Sequence, residues 1–376
     1  ALNGATVTTS GNQTYAGAIS LGADTTLTGS NVTTTTASTL AGATNTLDVV
    51  GNAYIGGDVS GVDVLNVSGT TNLSANISTT GNQTYAGAIT LGSNAVLLAT
   101  DNTAIITANS SINSDSTVRG LTLNSSGGGT VVFNGAVGNS AALANMTVNA
   151  SAMTLNGSSV NTTGNQSYTG AMTLAKNTVL ESTGAGTVIA VANTVSGDTA
   201  ATRSLNISAV GAGSVVSLGG AVGTVNLTTL CVTASGIALN GATVSSSGNQ
   251  TYAGAITLGA GTTLTASNVT TTSGSTIAGA ANALNVTGNA YVGGDVTAVS
   301  VLNVSGTTKL NANVSTTGNQ TYTGAMTVVT NANLAASGAN AIITLASTLD
   351  ADTAATRALN ISSNTTSGKV VLGGVV

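Results

Sequence analysis

Gly11–Ile19 reads GNQTYAGAI, and the same word returns as GNQTYAGAI at Gly81–Ile89, GNQSYTGAM at Gly164–Met172, GNQTYAGAI at Gly248–Ile256 and GNQTYTGAM at Gly318–Met326. Self-similarity at a long period is the mark of a stacked repeat architecture, in which one structural unit recurs along an axis. A local function would then sit on a repeated surface and not in one catalytic pocket.

The copies start 70, 83, 84 and 70 residues apart. Two kinds of unit explain the spacing. The short kind carries GNAYIGGDVSGVDVLNVSGTTNL at Gly51–Leu73, which returns as GNAYVGGDVTAVSVLNVSGTTKL at Gly288–Leu310. The long kind carries GDTAATRSLNIS at Gly197–Ser208 and ADTAATRALNIS at Ala351–Ser362, with a weaker copy, SDSTVRGLTLNSS, at Ser114–Ser126. The chain thus divides into repeat units 11–80, 81–163, 164–247, 248–317 and 318–376 and is expected to form one continuous solenoid over residues 1–376. Ala1–Ile19 matches Ala238–Ile256, and Lys369–Val376 aligns with Val215–Val222. These matches suggest a slice of a longer tandem array without atypical capping repeats.

Within a unit the apolar residues alternate. In Tyr15–Leu21 the odd positions are Tyr, Gly, Ile and Leu and the even ones are Ala, Ala and Ser, the period of a strand with one buried face. Thr46–Tyr54 and Val64–Val67 alternate in the same way. β-Branched residues abound, helix formers are scarce, and Gly, Asn, Asp and Ser cluster between strands of about 4–7 residues. Leu2 and Val7, Leu155 and Val160, and Leu239 and Val244 each stand at a fixed distance before a GNQ word. Leu2, Leu27, Leu47 and Leu65 follow one another at the spacing of one turn of a three-sided coil. The pattern predicts an all-β fold, a three-sided parallel β-helix of about 17–20 coils stacked about 4.8 Å apart. The chain contains no Pro, as such stacking demands, because Pro would remove a ladder donor. Asn at corners is expected to form hydrogen-bonded ladders. A propeller or sandwich is the alternative, but Asn-Gly dipeptides do not fall between matched strand pairs.

Composition narrows function. Charged residues are 5% of the chain, against a usual share of about 25%, and the net charge is −5 with six Lys and Arg. Such a chain cannot neutralise a phosphate backbone, which argues against nucleic acid. No apolar run approaches the roughly 18 residues of a membrane helix. There is no His, so a Ser-His-Asp or Cys-His site is impossible. One cysteine, Cys231, allows neither a disulfide framework nor a zinc site, and it is expected to be a small buried hydrophobe. The acids are scattered, without the paired carboxylates of a polysaccharide hydrolase. GGDV at Gly56–Val59 and Gly293–Val296 lacks the repeated Asp of a calcium-binding roll. The chain is therefore expected to be no enzyme and to hold no metal or cofactor.

Two features remain for a surface role. Asp198 with Arg203 and Asp352 with Arg357 repeat, and Asp115 with Arg119 stands one residue closer. They are either periodic docking points or salt bridges across exposed loops, and the latter is favoured. Tyr15, Tyr85, Tyr168, Tyr252 and Tyr322 could stack on sugars, but their parity matches inward Ile and Leu, which favours a core or rim plug with the hydroxyl at a corner. Thr33–Thr36 and Thr270–Thr272 raise an ice-binding possibility that would need ranked Thr on many consecutive coils. Asn-x-Ser/Thr sequons at Asn31, Asn66, Asn76 and Asn145 follow from composition.

GNQTY-(A/T)-GA followed by TTLTASNVTT, over Gly11–Thr35 and Gly248–Thr272 and in partial copies elsewhere, resembles the repeats of filamentous-haemagglutinin-like adhesins, large bacterial proteins secreted by a two-partner or autotransporter route. The resemblance implies a right-handed parallel β-helix, export and a surface role. It leads to the expectation of a structural rod or fibre segment of a giant secreted surface protein, extracellular or on the cell surface. Expected partners are other copies of the chain, end to end or laterally, and host or cell-surface glycans. A glycan- or ice-binding solenoid module is the alternative.

Overall fold

Parallel pairing between successive turns organises each part of the chain. The structure is a computed structural model that describes every residue except Ser126, Ala354, Ala355 and Thr365. It is all β, in two compact units, Ala1–Thr183 and Gly184–Val376. Both units are parallel β-solenoids, and together they hold about 16 turns.

Three short strands make a turn. In the first unit Leu65–Val67, Thr71–Leu73 and Ile77–Thr79 form one turn, and Gln83–Tyr85, Ile89–Leu91 and Ala95–Ala99 form the next. Leu65 pairs with Gln83, Thr71 with Ile89 and Ile77 with Leu97, all parallel. The second unit repeats the register: Leu302 pairs with Gln320, Thr308 with Met326 and Val314 with Leu334. No antiparallel hairpin occurs among the described pairings, so the propeller and sandwich alternatives fall.

Alternation builds the core. Val67, Tyr85, Ala108, Phe133 and Leu155 stack in one inward column, and all are buried. Burying each Val, Leu or Phe contributes about 1.5–3 kcal/mol. Fixing a residue's backbone costs about 1–2 kcal/mol, so apolar burial on alternate positions needs help from the ladder and the corners. The outward positions beside them carry Asn66, Thr84, Thr107, Val132 and Thr154.

Three details differ from the sequence expectation. The turn count is about 16, not 17–20. The reason is that loops lengthen the turns of the long units: Asn66 bonds to Asp48, 18 residues back, whereas Ser114 bonds to Ala142, 28 residues on. Secondly, Leu2, Leu27, Leu47 and Leu65 do not share one column. Leu47 pairs with Leu65, but Leu27 pairs with Val7 and Val49, and Leu2 with Leu21. Inward positions two residues apart accept Leu equally well, so spacing alone cannot assign the column. Thirdly, Cys231 lies outside the core. It is half-buried at an outward position between Asn206 and Thr251, while its neighbours Leu230 and Val232 point inward.

Corners fall inside several strands. Gln13–Tyr15 and Ala18–Ser20 are separate, whereas the equivalent Asn249–Leu258 runs through as one strand. Thr25–Thr34 and Leu47–Ile55 also bend from one face to the next, with a shift in register between Thr28 and Asn31. The bend uses Gly51 at φ 128°, where an added Cβ would lie 1.9 Å from the Gly29 carbonyl oxygen of the turn below. Gly288 repeats it at φ 127°, 1.8 Å from the Ala266 oxygen. Gly51→Ala and Gly288→Ala are each expected to lose about 1–3 kcal/mol of stability in denaturant unfolding. Gly261→Ala, with open space around its Cβ, should change little.

Candidate functional site

The repeated word turns out to be a clip between turns. Gln83 and Tyr85 are two residues apart, so both side chains enter the interior, and both are 0% exposed. The Gln83 amide Nε2 donates to the carbonyl of Leu98 in the next turn at 2.8 Å and to Thr79 Oγ1 at 3.2 Å. Its Oε1 accepts the Tyr85 hydroxyl at 2.9 Å. Both amide protons and the carbonyl oxygen are thereby satisfied, as a buried amide requires.

The geometry recurs in every copy. Gln13 donates to Thr28 and Val7 carbonyls, Gln166 to Glu181 and Val160, Gln250 to Thr265 and Val244, and Gln320 to Ala335 and to Thr316 Oγ1. Tyr15, Tyr168, Tyr252 and Tyr322 each donate to the Gln two residues before them, at 2.9–3.0 Å. Tyr85, Tyr168, Tyr252 and Tyr322 are fully buried, and Tyr15 is partly exposed. The four buried rings have no face toward solvent and cannot stack on a sugar. Burial pushes their phenols above the ordinary value. The GNQ Gln was not singled out in the sequence, although its parity with Tyr was the signal.

Asn ladders tie turns together outside. Asn31 donates to Asn12 and Asn52 to Asn31, and the Asn52 oxygen accepts both the backbone N–H and the hydroxyl of Thr70. Asn268 and Asn289 repeat these bonds from Asn249 to Thr307. Asn134 and Asn156 continue a third ladder from Asn109. The sequon residues are engaged likewise: Asn66 donates to Asp48, Asn76 accepts from the Val96 N–H and Asn145 from the Asn165 N–H.

The charged pairs close loops. Arg203 grips Asp198 with two bonds of 2.6 and 2.9 Å, Arg357 grips Asp352 at 2.6 and 3.0 Å, and Arg119 grips Asp115 at 3.0 Å twice. Each guanidinium holds its partner carboxyl below the usual carboxylate range. Each loop follows the equivalent short strand of its own repeat, Ile112–Ser114, Val195–Gly197 or Leu349–Ala351. Ala354 and Ala355 of one copy, and Ser126 at the end of another, lie outside the described residues. Both members of each pair are partly exposed, so the bridges add little stability.

The Thr runs do not form ranks. Thr33 points outward while Thr34 is buried, and Thr270 and Thr271 alternate in the same way. Thr6 and Thr8 stack on Thr26 and Thr28, but Asp48 and Val50 follow on the next turn. Tyr54 and Tyr291, not singled out in the sequence, are the tyrosines on the outer face, and their parity opposite to Leu47 and Leu284 was the available signal. Among the described residues no three His, Cys, Asp or Glu side chains converge. No helix there is long and apolar enough to cross a membrane. Comparison with protein families, characterised proteins and solved structures finds no match for the chain.

Replacing Gln83 by Leu strands the Tyr85 hydroxyl and the Leu98 carbonyl, and should cost about 1–3 kcal/mol in denaturant unfolding. Tyr85→Phe, which leaves only the Gln83 oxygen short of a donor, should cost less. Alkali gives a second test. The folded phenols titrate above their unfolded value of about 10, so this stability is intact below pH 10 and is lost as pH rises beyond it. Each buried tyrosine should contribute a loss of about 1.4 kcal/mol per pH unit there. Near-UV absorbance should show these four tyrosinates appearing only with unfolding.

Proposed function

We propose that this chain is a structural segment of a large secreted bacterial surface protein, a stiff spacer or a self-assembling filament outside the cell. The observation that carries this is the use of the repeated word. GNQTY is the best-preserved stretch of the repeat, and its Gln and Tyr are spent on clipping one turn to the next. The constant Gln and Tyr are internal, where they serve extension by addition of turns, and the constant Asn beside them lies at the surface.

The composition supports the same role. An uncharged stack of Thr, Ser and Asn needs no cofactor or redox environment to hold its form. The resemblance of GNQTY and TTLTASNVTT to filamentous-haemagglutinin-like repeats supports a place at a bacterial surface. Spacer and filament differ in what happens at the ends, where an unpaired coil edge is a template for another chain.

Electron microscopy of the purified chain tests the proposal. Isolated rods, on the order of 80 Å long at about 4.8 Å per turn, are expected for a spacer, and long fibres of the same width for a filament. Compact or flexible particles without an elongated axis would overturn both.

A further inference from the structure

The outer face beside Tyr54 carries an arrangement that the clip does not explain. Four successive turns place two outward side chains each, side by side: Asn12 with Thr14, Asn31 with Thr33, Asn52 with Tyr54, and Thr70 with Asn72. The second unit repeats it as Asn249 with Thr251, Asn268 with Thr270, Asn289 with Tyr291, and Thr307 with Lys309. The two faces differ at one position, Asn72 against Lys309.

Tyr54 is 44% exposed, the largest exposed aromatic in a chain with seven Tyr, one Phe and no Trp. The GNQ tyrosines all donate to a Gln, but neither the Tyr54 nor the Tyr291 hydroxyl has a hydrogen-bond partner among the described residues. A ring on the outer face contributes nothing to the core, where Ala53 and Ala290 beside it point inward. Next to each ring runs an Asn ladder. Asn31, Asn52, Asn268 and Asn289 each spend one N–H on the turn below and keep a second N–H for a ligand. The oxygens of Asn31 and Asn268 keep a lone pair, while those of Asn52 and Asn289 are filled by Thr70 and Thr307. At Tyr291 the face is concave, a groove of about 450 Å³ lined by Asn249, Asn268, Asn289, Thr270 and Lys309.

We propose that these two faces are binding sites for a neutral, extended β-linked polysaccharide chain. The apolar face of a pyranose ring would lie on the tyrosine, and its hydroxyls would exchange hydrogen bonds with the Asn amides and Thr hydroxyls. Aromatic stacking with amide hydrogen bonds at the rim is the chemistry that suits a sugar. The rungs recur at about 4.8 Å, so two turns advance by about 9.6 Å, comparable with the two-sugar repeat of an extended β-1,4-linked chain. A polyanion is a poor fit, because Lys309 is the single charge on one face and the other has none. The inference stands apart from the spacer proposal: a rod that binds no sugar leaves that proposal intact.

Calorimetric titration of the whole chain with cellohexaose, chitohexaose and a hexagalacturonate tests it. At least one neutral hexamer is expected to bind, and more tightly than the anionic one. The double variant Tyr54→Ala/Tyr291→Ala should weaken that binding at least about tenfold, with circular dichroism and thermal unfolding unchanged, because both rings lie outside the core. The double Phe variant should retain affinity within about threefold. Absence of binding by both neutral hexamers, preference for the anionic one, or undiminished binding by the folded double Ala variant would each overturn it.

Discussion

Backbone hydrogen-bonding groups in these strands find their partners in the turn above or the turn below. That dependence is the constraint from which the rest of the structure follows. An unpaired buried N–H or C=O is costly, so each turn must repeat the path of its neighbour closely enough to keep the ladder in register. Proline is absent because it would break a rung, and Gly51 and Gly288 stand where two turns come too close for a side chain. The interior accepts only side chains that fit the residue directly above, which is why Tyr85 sits between Val67 and Ala108.

Corners are the weak points of such a stack, since there the ladder changes direction. Two polar devices secure them. Inside, a buried Gln bridges consecutive turns and is held by a tyrosine from its own strand. Outside, Asn side chains bond to the equivalent residue of the next turn. Both devices work through neutral amides, which explains how a chain with 5% charged residues orders its corners without ion pairs. The Asp–Arg bridges lie elsewhere, at the loops that lengthen some turns, and they shape the loops without carrying the stack.

Much of this was legible in the sequence because both periods were visible there. The long period of GNQTY announced repetition, and the alternation of Tyr15–Leu21 announced strands with one buried face. The parity of the GNQ tyrosines placed them inside, and the spacing of Asp198 and Arg203 fitted a loop bridge. What was not legible depends on vertical register. Leu2, Leu27, Leu47 and Leu65 looked like one column because any inward position suits Leu. Cys231 looked buried because small thiols usually are, but its strand placed it outside. The buried Gln was hidden by its polarity: only knowledge of which carbonyl lies above it reveals the partner. Tyr54 and Tyr291 were concealed by the fame of their neighbours in the repeat, though their opposite parity set them apart.

The central claim is that turns stack in parallel with a defined register, and disulfide trapping tests it most directly. On a Cys231→Ser background, cysteines are introduced at Thr84 and Thr107, outward residues directly paired between successive turns. A second protein carries cysteines at Thr84 and Ile105, one outward position out of step. Rapid, near-complete oxidation of the Thr84–Thr107 pair, with little of the Thr84–Ile105 pair, is the predicted result. Preferential oxidation of the offset pair, or of neither, would contradict the stacking on which the whole account rests.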